Sequence, residues 1–137
     1  MKKVTLIAMM AILMAPLMLA QDKSVEAAQK GAESWLALVD KADYAGSYNQ
    51  AASMFKAAVT KEDWVQKIRA ARGPLGNVVS RKLMSAQYTT SLPGAPDGQY
   101  VVMQYDTSFE NKKSAVETIV PMMDKDGQWR VSGYFIK

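Results

Sequence analysis

The spacing of apolar residues changes once along this chain, at Gly73-Pro74, and this change limits the folds that are open to it. Before this point, apolar residues recur at three- and four-residue steps, as they do on one face of a helix. After it, β-branched and aromatic residues alternate with polar ones, as they do in strands. Helices that precede strands, rather than alternate with them, predict an α+β layer with the helices on one face of an antiparallel sheet.

Three helices are predicted within residues 24–73. The first has its apolar face over Val25–Val39 and contains Gly31, which costs about 1 kcal/mol relative to Ala, so we expect a close contact there. The second follows Asp43, a favourable N-cap, and its apolar face extends to Phe55. The third completes the helical part of the chain.

Four strands are predicted after the helices. They are Val78–Ser91, Gln99–Glu110, Lys113–Met123 and Gln128–Ile136. Short connections at Asn111-Lys112 and Asp124–Gly127 require antiparallel neighbours, which predicts a curved meander. The connection Leu92–Gly98 is longer and contains two Pro and two Gly, which favours a rigid hairpin loop over a partner-binding loop. Alternation in the last strand places Val131 and Phe135 toward the core.

Residues 1–20 have the form of a secretory signal peptide. Two lysines precede the apolar run Val4–Ala15, and the small residue Ala20 precedes a polar segment. The alternative is a retained membrane anchor, but the run is shorter than the roughly 20 residues of a spanning helix and is broken by Pro16. We therefore expect an exported protein, periplasmic or secreted, without a stable membrane anchor, whose mature part is one domain of residues 21–137.

The sequence contains no Cys and no His, which limits the chemistry that it can perform. Thiol nucleophiles and Ser-His-Asp triads are excluded, and so are the side chains that most often bind transition metals. We therefore expect no cofactor and no metal site. The net charge of +4 falls to +2 when the two lysines of the leader are removed, so no nucleic-acid partner is expected.

Charged residues near the helix–strand junction are the first candidate ligand-binding residues. Arg69, Arg72 and Arg81 lie around the turn Gly73–Gly76. They predict either a small anion-binding corner or, as we favour, arginines that stabilise the end of a helix and pair with acidic side chains. Glu117 shares a strand face with apolar residues, which predicts that it is buried and paired, with Arg81 as the candidate partner.

Tyr105 and Tyr134 complete the candidate ligand-binding set, because their hydroxyls are suited to line a cavity. A carboxylate next to a tyrosine can also transfer protons without His. Glu117 or Asp106 would supply that carboxylate in an enzyme. Aromatic residues at strand spacing are more often part of a core, so the sequence favours a protein that is not an enzyme.

Several blocks of the sequence together resemble a known bacterial family. These blocks are Ala32–Asp40, Asp43–Ala45, Trp64–Val65, Arg69, Arg72–Gly76, Ser80-Arg81, Tyr88–Val101, Glu117-Thr118 and Gly127–Tyr134. The family is catalogued as domain of unknown function 4019, and the resemblance implies an exported bacterial protein of one small domain, with no activity to transfer. By the order of its elements the chain is also similar to nuclear transport factor 2-like and cystatin-like folds. That similarity implies a curved sheet around helices, often with a pocket at the open end, and does not imply a function.

The sequence therefore favours a non-catalytic module of the cell envelope that binds a small molecule or another envelope protein. Two alternatives stay open. One is a pocketed α+β enzyme that uses a carboxylate and a tyrosine. The other is a structural homo-oligomer, such as a homodimer, that pairs through an exposed face of the sheet.

Overall fold

The computed structural model describes residues 2–137, and the side chains of residues 18–137. The helices are α1 (Lys2–Asp40), α2 (Tyr44–Asn49), α3 (Ser53–Ala58) and α4 (Lys61–Arg72), followed by a 3-10 turn at Gly73–Leu75. The strands are β1 (Val78–Thr89), β2 (Tyr100–Phe109), β3 (Lys112–Met123) and β4 (Trp129–Ile136). Neighbouring strands pair antiparallel in the order β1-β2-β3-β4, so the predicted α+β class and the meander are confirmed. The finer likeness to nuclear transport factor 2-like folds stays a prediction.

Helix α1 begins well before the predicted start at residue 24 and continues without a break to Asp40. Most of the predicted signal peptide falls on residues 1–17, whose side chains lie outside the described residues, so the leader and its cleavage stay predictions. In the part of the chain that is described, no helix combines the length and the apolar character needed to cross a bilayer.

The prediction of a single second helix is wrong, because the chain forms two short helices separated by an extended residue. Asp43 caps α2 as expected, since its carboxylate accepts a hydrogen bond from the N–H of Gly46 at 2.9 Å. Ala52, before α3, is extended at φ −61° and ψ 150°. Its N–H donates to the carbonyl of Val131 in β4 at 2.8 Å. That bond to the sheet replaces a helical one and divides the predicted helix.

The core lies between the inner face of the sheet and the helices. Helix α1 contributes Ala28, Ala32, Trp35, Leu36 and Val39, and β2 contributes Val101, Met103, Tyr105, Thr107 and Phe109. These sets are the faces that the periodicity predicts. On the other side of the sheet, the loop Leu92–Gly98 closes over Tyr100, whose hydroxyl donates to the carbonyl of Pro96 at 2.6 Å. The bond between the N–H of Gly98 and the carbonyl of Thr90, at 3.0 Å, closes the base of this loop.

Strand β4 departs from simple alternation because one extra residue is inserted opposite Val120 and Pro121. Val120 pairs with Gly133, but Pro121 pairs with Val131, which leaves Ser132 as a bulge. The hydroxyl of Ser132 donates to the carbonyl of Val120 at 2.8 Å. Beyond the bulge the faces exchange. The prediction that Phe135 packs in the core is therefore wrong: its side chain lies on the outer face and is 64% exposed.

Candidate functional site

Four of the six predicted site residues meet in one polar cluster between the end of α1 and the inner face of the sheet. These four are Arg72, Arg81, Glu117 and Tyr134. Two residues that the prediction did not include, Asp40 and Thr107, complete the cluster. We call these six residues the buried network. Tyr134 belongs to it because the bulge in β4 turns its side chain toward the core.

Glu117 is the centre of the buried network and is 0% exposed. Arg81 donates from Nε to Oε1 at 2.7 Å and from Nη2 to Oε2 at 3.0 Å. The hydroxyl of Thr107 donates to Oε1 at 2.5 Å, and the hydroxyl of Tyr134 donates to Oε2. Each carboxylate oxygen thus accepts two hydrogen bonds, which meets the capacity of the group. Glu117 is buried and paired with Arg81, as the sequence predicts, and no acceptor position on it is left for a ligand.

Asp40, the last residue of α1, extends the buried network toward the surface and balances its charge. Arg81 donates from Nη1 to Oδ2 at 2.7 Å and from Nη2 to Oδ1 at 3.0 Å, and Arg72 donates from Nη1 to Oδ1 at 3.1 Å. Two carboxylates thus face two guanidinium groups. Asp40 is the most accessible charged member, with its side chain 29% exposed. The network is formally neutral, which reduces the cost of burying its four charges.

Burial and the neighbouring charges keep two members of the network protonated. Burial would lower the pKa of Arg81, but its hydrogen bonds to Asp40 and Glu117 outweigh this and raise it. Burial and the neighbouring Glu117 carboxylate together raise the pKa of the Tyr134 hydroxyl well above its ordinary value. Both groups therefore remain hydrogen-bond donors through the physiological pH range, which suits a structural network better than proton transfer.

Arg69, Tyr105 and Asp106 make no hydrogen bond to the buried network, although Tyr105 pairs with Glu117 across the sheet. Arg69 is exposed, and its guanidinium lies 5.9 Å from the ring centre of Tyr44. The hydroxyl of Tyr105 donates to Glu33 on α1 at 3.2 Å, and burial and this carboxylate raise the pKa of Tyr105. Asp106 is exposed and lies opposite Lys82 on the outer face of the sheet.

The pairing of the arginines supports their structural interpretation over an anion-binding corner. Arg72 and Arg81 contact the carboxylates of the network, and Arg69 does not join them. Arg72 is buried, and its guanidinium also lies 4.8 Å from the ring centre of Phe109, in a cation–π contact. Among the described side chains, the Nε of Arg72 is the one buried polar atom without a hydrogen-bond partner.

Thr107 and Ser47, two buried polar residues that the prediction did not include, have a partial signal in the sequence because each lies on an apolar face of its strand or helix. Thr107 lies on the apolar face of β2, where a hydroxyl needs a partner, and Glu117 two strand positions away in the sheet is that partner. Ser47 is fully buried and joins two tryptophans: the indole of Trp64 donates to its hydroxyl at 2.9 Å, and the indole of Trp35 donates to its carbonyl at 2.8 Å. Asp40 has no such signal, since an aspartate at a helix end is typical of a turn.

A surface groove adjoins the buried network through the ring of Tyr134. The groove lies between α4 and β4 and has a volume of about 250 Å³. It is lined by Trp64, Lys67, Ile68, Ala71, Tyr134 and Ile136. We call it the α4–β4 groove. Its walls are apolar apart from the ammonium of Lys67 and the phenol of Tyr134, whose hydroxyl is directed at Glu117.

Four larger clefts, of about 660, 480, 370 and 260 Å³, contain no member of the buried network. One, of about 660 Å³, lies between β1 and the part of α1 that includes Gln21 and Val25, next to the predicted cleavage position. Another, of about 480 Å³, lies beside the β3–β4 hairpin and is lined mainly by polar side chains such as Asp124 and Arg130. The α4–β4 groove is smaller, but among these clefts it is the one lined by a member of the buried network, Tyr134, and its mainly apolar walls with a single cationic side chain, Lys67, suit a binding site. No group of side chains suited to hold a metal ion occurs among the described residues.

Comparison with known proteins supports the family resemblance. A family model described as "Protein of unknown function (DUF4019)" matches residues 31–134, which includes the buried network and most of the α4–β4 groove. No curated protein matches the chain significantly.

Proposed function

Because the chain belongs to the DUF4019 family, which has no assigned activity, we propose a function from its geometry: a non-catalytic binding module of the bacterial cell envelope. The binding surface is the α4–β4 groove, and its occupant is a small molecule or a segment of another envelope protein. The buried network supports the groove from below and takes no part in chemistry.

The saturation of Glu117 is the observation that carries this proposal. A general acid or base must come within hydrogen-bond reach of the group whose proton it moves. Glu117 accepts four hydrogen bonds from Arg81, Thr107 and Tyr134 and is fully buried, so a substrate would first have to displace these donors. The absence of His and Cys from the sequence is consistent with a binding role.

The cellular location in the proposal is supported by the sequence. A basic start, a short apolar run and a small residue before a polar segment are the signals that direct a chain to export. The experiment therefore starts from the full chain expressed in a Gram-negative host. We expect the shortened protein, which starts at Gln21, in the periplasmic fraction. Full-length protein in the cytoplasm would contradict this part of the proposal.

Native mass spectrometry of the protein purified from the envelope then tests the groove. We expect extra mass that disappears on denaturation, and we expect Ala71→Phe, which fills the groove, to abolish it. Ala70→Phe is the matched control, because Ala70 is exposed on the same helix and does not line the groove. Retention of the extra mass by Ala71→Phe would show that the ligand binds elsewhere.

A protein partner would escape native mass spectrometry if it binds transiently. A photo-crosslinking amino acid placed at Ala71 or at Ala70 in living cells covers this case. We expect a defined cross-linked species from position 71 and not from position 70. The absence of both retained mass and a cross-link specific to position 71 would overturn the binding function.

One observation favours the homo-oligomer as a second candidate. Phe135 is 64% exposed on the outer face of the sheet, where it pairs with Thr118 beside half-buried Val120. Apolar residues that lie together on an exposed sheet face are typical of surfaces that associate. The same native mass spectra decide this candidate: a dimer that Phe135→Ser converts to a monomer supports it, and a monomeric wild-type protein excludes it.

A further inference from the structure

Strand β4 is an outer strand of the sheet, and the rest of the fold covers only its first half. The N–H of Ala52 donates to the outward carbonyl of Val131 at 2.8 Å. The carbonyl of Trp129 lies against α1 so closely that a Cβ at Gly31 would come within 2.8 Å of it. These two contacts close the edge of the sheet as far as the bulge at Ser132.

The second half of β4 presents backbone groups that no other element pairs. The N–H and carbonyl of Lys137 exchange hydrogen bonds with Val116 of β3, each at 3.0 Å. Hydrogen-bonded and non-hydrogen-bonded pairs alternate along an antiparallel ladder. Ile136 and Tyr134, opposite Glu117 and Ile119, therefore point their N–H and carbonyl groups away from β3. Among the described residues, no further backbone hydrogen bond closes this part of the edge.

This open edge and the α4–β4 groove are parts of the same surface. The residues with outward backbone groups, Tyr134 and Ile136, also line the groove with their side chains. An extended chain added beside β4 would thus place alternate side chains over the groove, between β4 and Trp64 and Ala71 of α4. Backbone pairing supplies affinity in this mode of recognition, and the pockets for alternate side chains supply specificity.

The charge beside the groove indicates which chains would bind. Lys67 lies in the groove wall, and Lys137 follows the open segment of β4. Among the described residues no carboxylate lines the groove, and the acidic residues of α4, Glu62 and Asp63, lie in its first turn, before Trp64. An acidic side chain or a terminal carboxylate next to an apolar residue matches this surface.

We propose that the α4–β4 groove and the open edge of β4 bind an extended acidic peptide segment of another protein, which adds to the sheet as a fifth strand. This inference rests on the proposed binding function and specifies its ligand class. The apolar side chain of the peptide enters the groove, its acidic group meets Lys67, and its backbone pairs with Tyr134 and Ile136.

The test uses a displayed library of random linear peptides selected against the purified protein, followed by fluorescence anisotropy with the selected peptide. We expect an acidic residue near an apolar one in the selected sequences. N-methylation of alternate amides of the peptide gives the sharpest readout. Methylation in the register that faces β4 should weaken binding at least about tenfold, and methylation in the other register should have little effect, because only one set of amides pairs with an edge.

Variants of the protein test the two halves of the surface. Ile136→Pro removes the outward N–H and keeps the bonds of Lys137 to β3, so it should abolish binding that Ile136→Ala retains in part. Lys67→Glu should weaken binding by about tenfold, a difference of about 1.4 kcal/mol. The charge-matched control is Lys41→Glu, because Lys41 is exposed in the turn after α1, and we expect it to bind as the wild type does.

The outcomes separate this inference from the proposed function. Equal weakening by both N-methylation registers, or equal binding to Ile136→Pro and Ile136→Ala, overturns strand addition. A retained small molecule that Ala71→Phe removes, with no peptide selected, overturns the peptide inference and leaves the binding function in place. If no retained ligand, no cross-link at position 71 and no selected peptide is found, both the peptide inference and the proposed binding function are overturned.

Discussion

Replacement of Glu117 by Gln should strongly destabilise the protein, because the buried network depends on its charge. The substitution preserves volume, so it creates no cavity. One carboxylate oxygen becomes an amide NH₂ group, which then faces an N–H of Arg81 that cannot turn away or accept. Loss of a hydrogen bond between charged groups costs about 1.5–3 kcal/mol, and an uncompensated buried charge brings the total to about 3–5 kcal/mol. For a chain of this size that corresponds to a fall in Tm of about 10–20 °C.

Urea denaturation at neutral pH, followed by tryptophan fluorescence, measures this cost. The m-value should be unchanged, since the substitution leaves the buried area the same. Glu26→Gln is the control, because Glu26 is exposed and lies 3.9 Å from Lys30 in a surface ion pair, so we expect a loss of about 0–0.5 kcal/mol. A loss of less than about 1 kcal/mol for Glu117→Gln would show that the network is not the charge-dependent unit described above.

Three further predictions concern single elements of the fold. The raised pKa of Tyr134 favours the neutral phenol in the folded state, so the stability that this shift contributes is fully present below about pH 10 and is lost as pH rises further. Tyr134→Phe should therefore make the free energy of unfolding in urea fall less steeply between about pH 9 and pH 11. Asp124→Ala should lower the free energy of unfolding in urea by about 1 kcal/mol, because the Asp124 carboxylate caps α3 by accepting a hydrogen bond from the N–H of its first residue. The pKa of Asp124 is lowered by this bonding, so the difference should disappear as pH falls below about 4. Gly31→Ala should lower Tm although Ala favours helices, since its Cβ would meet the Trp129 carbonyl at 2.8 Å, whereas Gly73→Ala, with open space around it, should leave Tm unchanged or raise it.

The parts of the fold that the sequence predicts are those that follow from regular periodicity. The strand boundaries lie within two residues of the prediction because turn residues mark where each strand ends, although β1 and β2 contain register irregularities. The burial of Glu117 is predictable because its neighbours on the same strand face, Ala115 and Ile119, are apolar. The contact at Gly31 is predictable because glycine inside a helix needs a reason, and the carbonyl of Trp129 provides it.

The remaining features depend on single residues that break a period or on partners distant in the chain. Asp40 binds Arg72 and Arg81, which are 32 and 41 residues further along, so nothing local distinguishes it from an ordinary turn aspartate. The division of the second helix depends on the bond from Ala52 to Val131, which exists only once the sheet is in place. Periodicity contains no information about either contact.

The bulge at Ser132 links the buried network to the binding surface. Without it, Phe135 would face the core in place of Tyr134, and the Oε2 atom of Glu117 would lose a donor that phenylalanine cannot replace. The network therefore favours the bulged register over the regular one by at least the cost of an unmet hydrogen bond to a buried charge, about 1.5–3 kcal/mol. The same register turns the backbone of Tyr134 and Ile136 toward the open edge of the sheet. A substitution that releases the register should then disturb peptide binding and core stability together, because Tyr134 belongs to both the buried network and the α4–β4 groove.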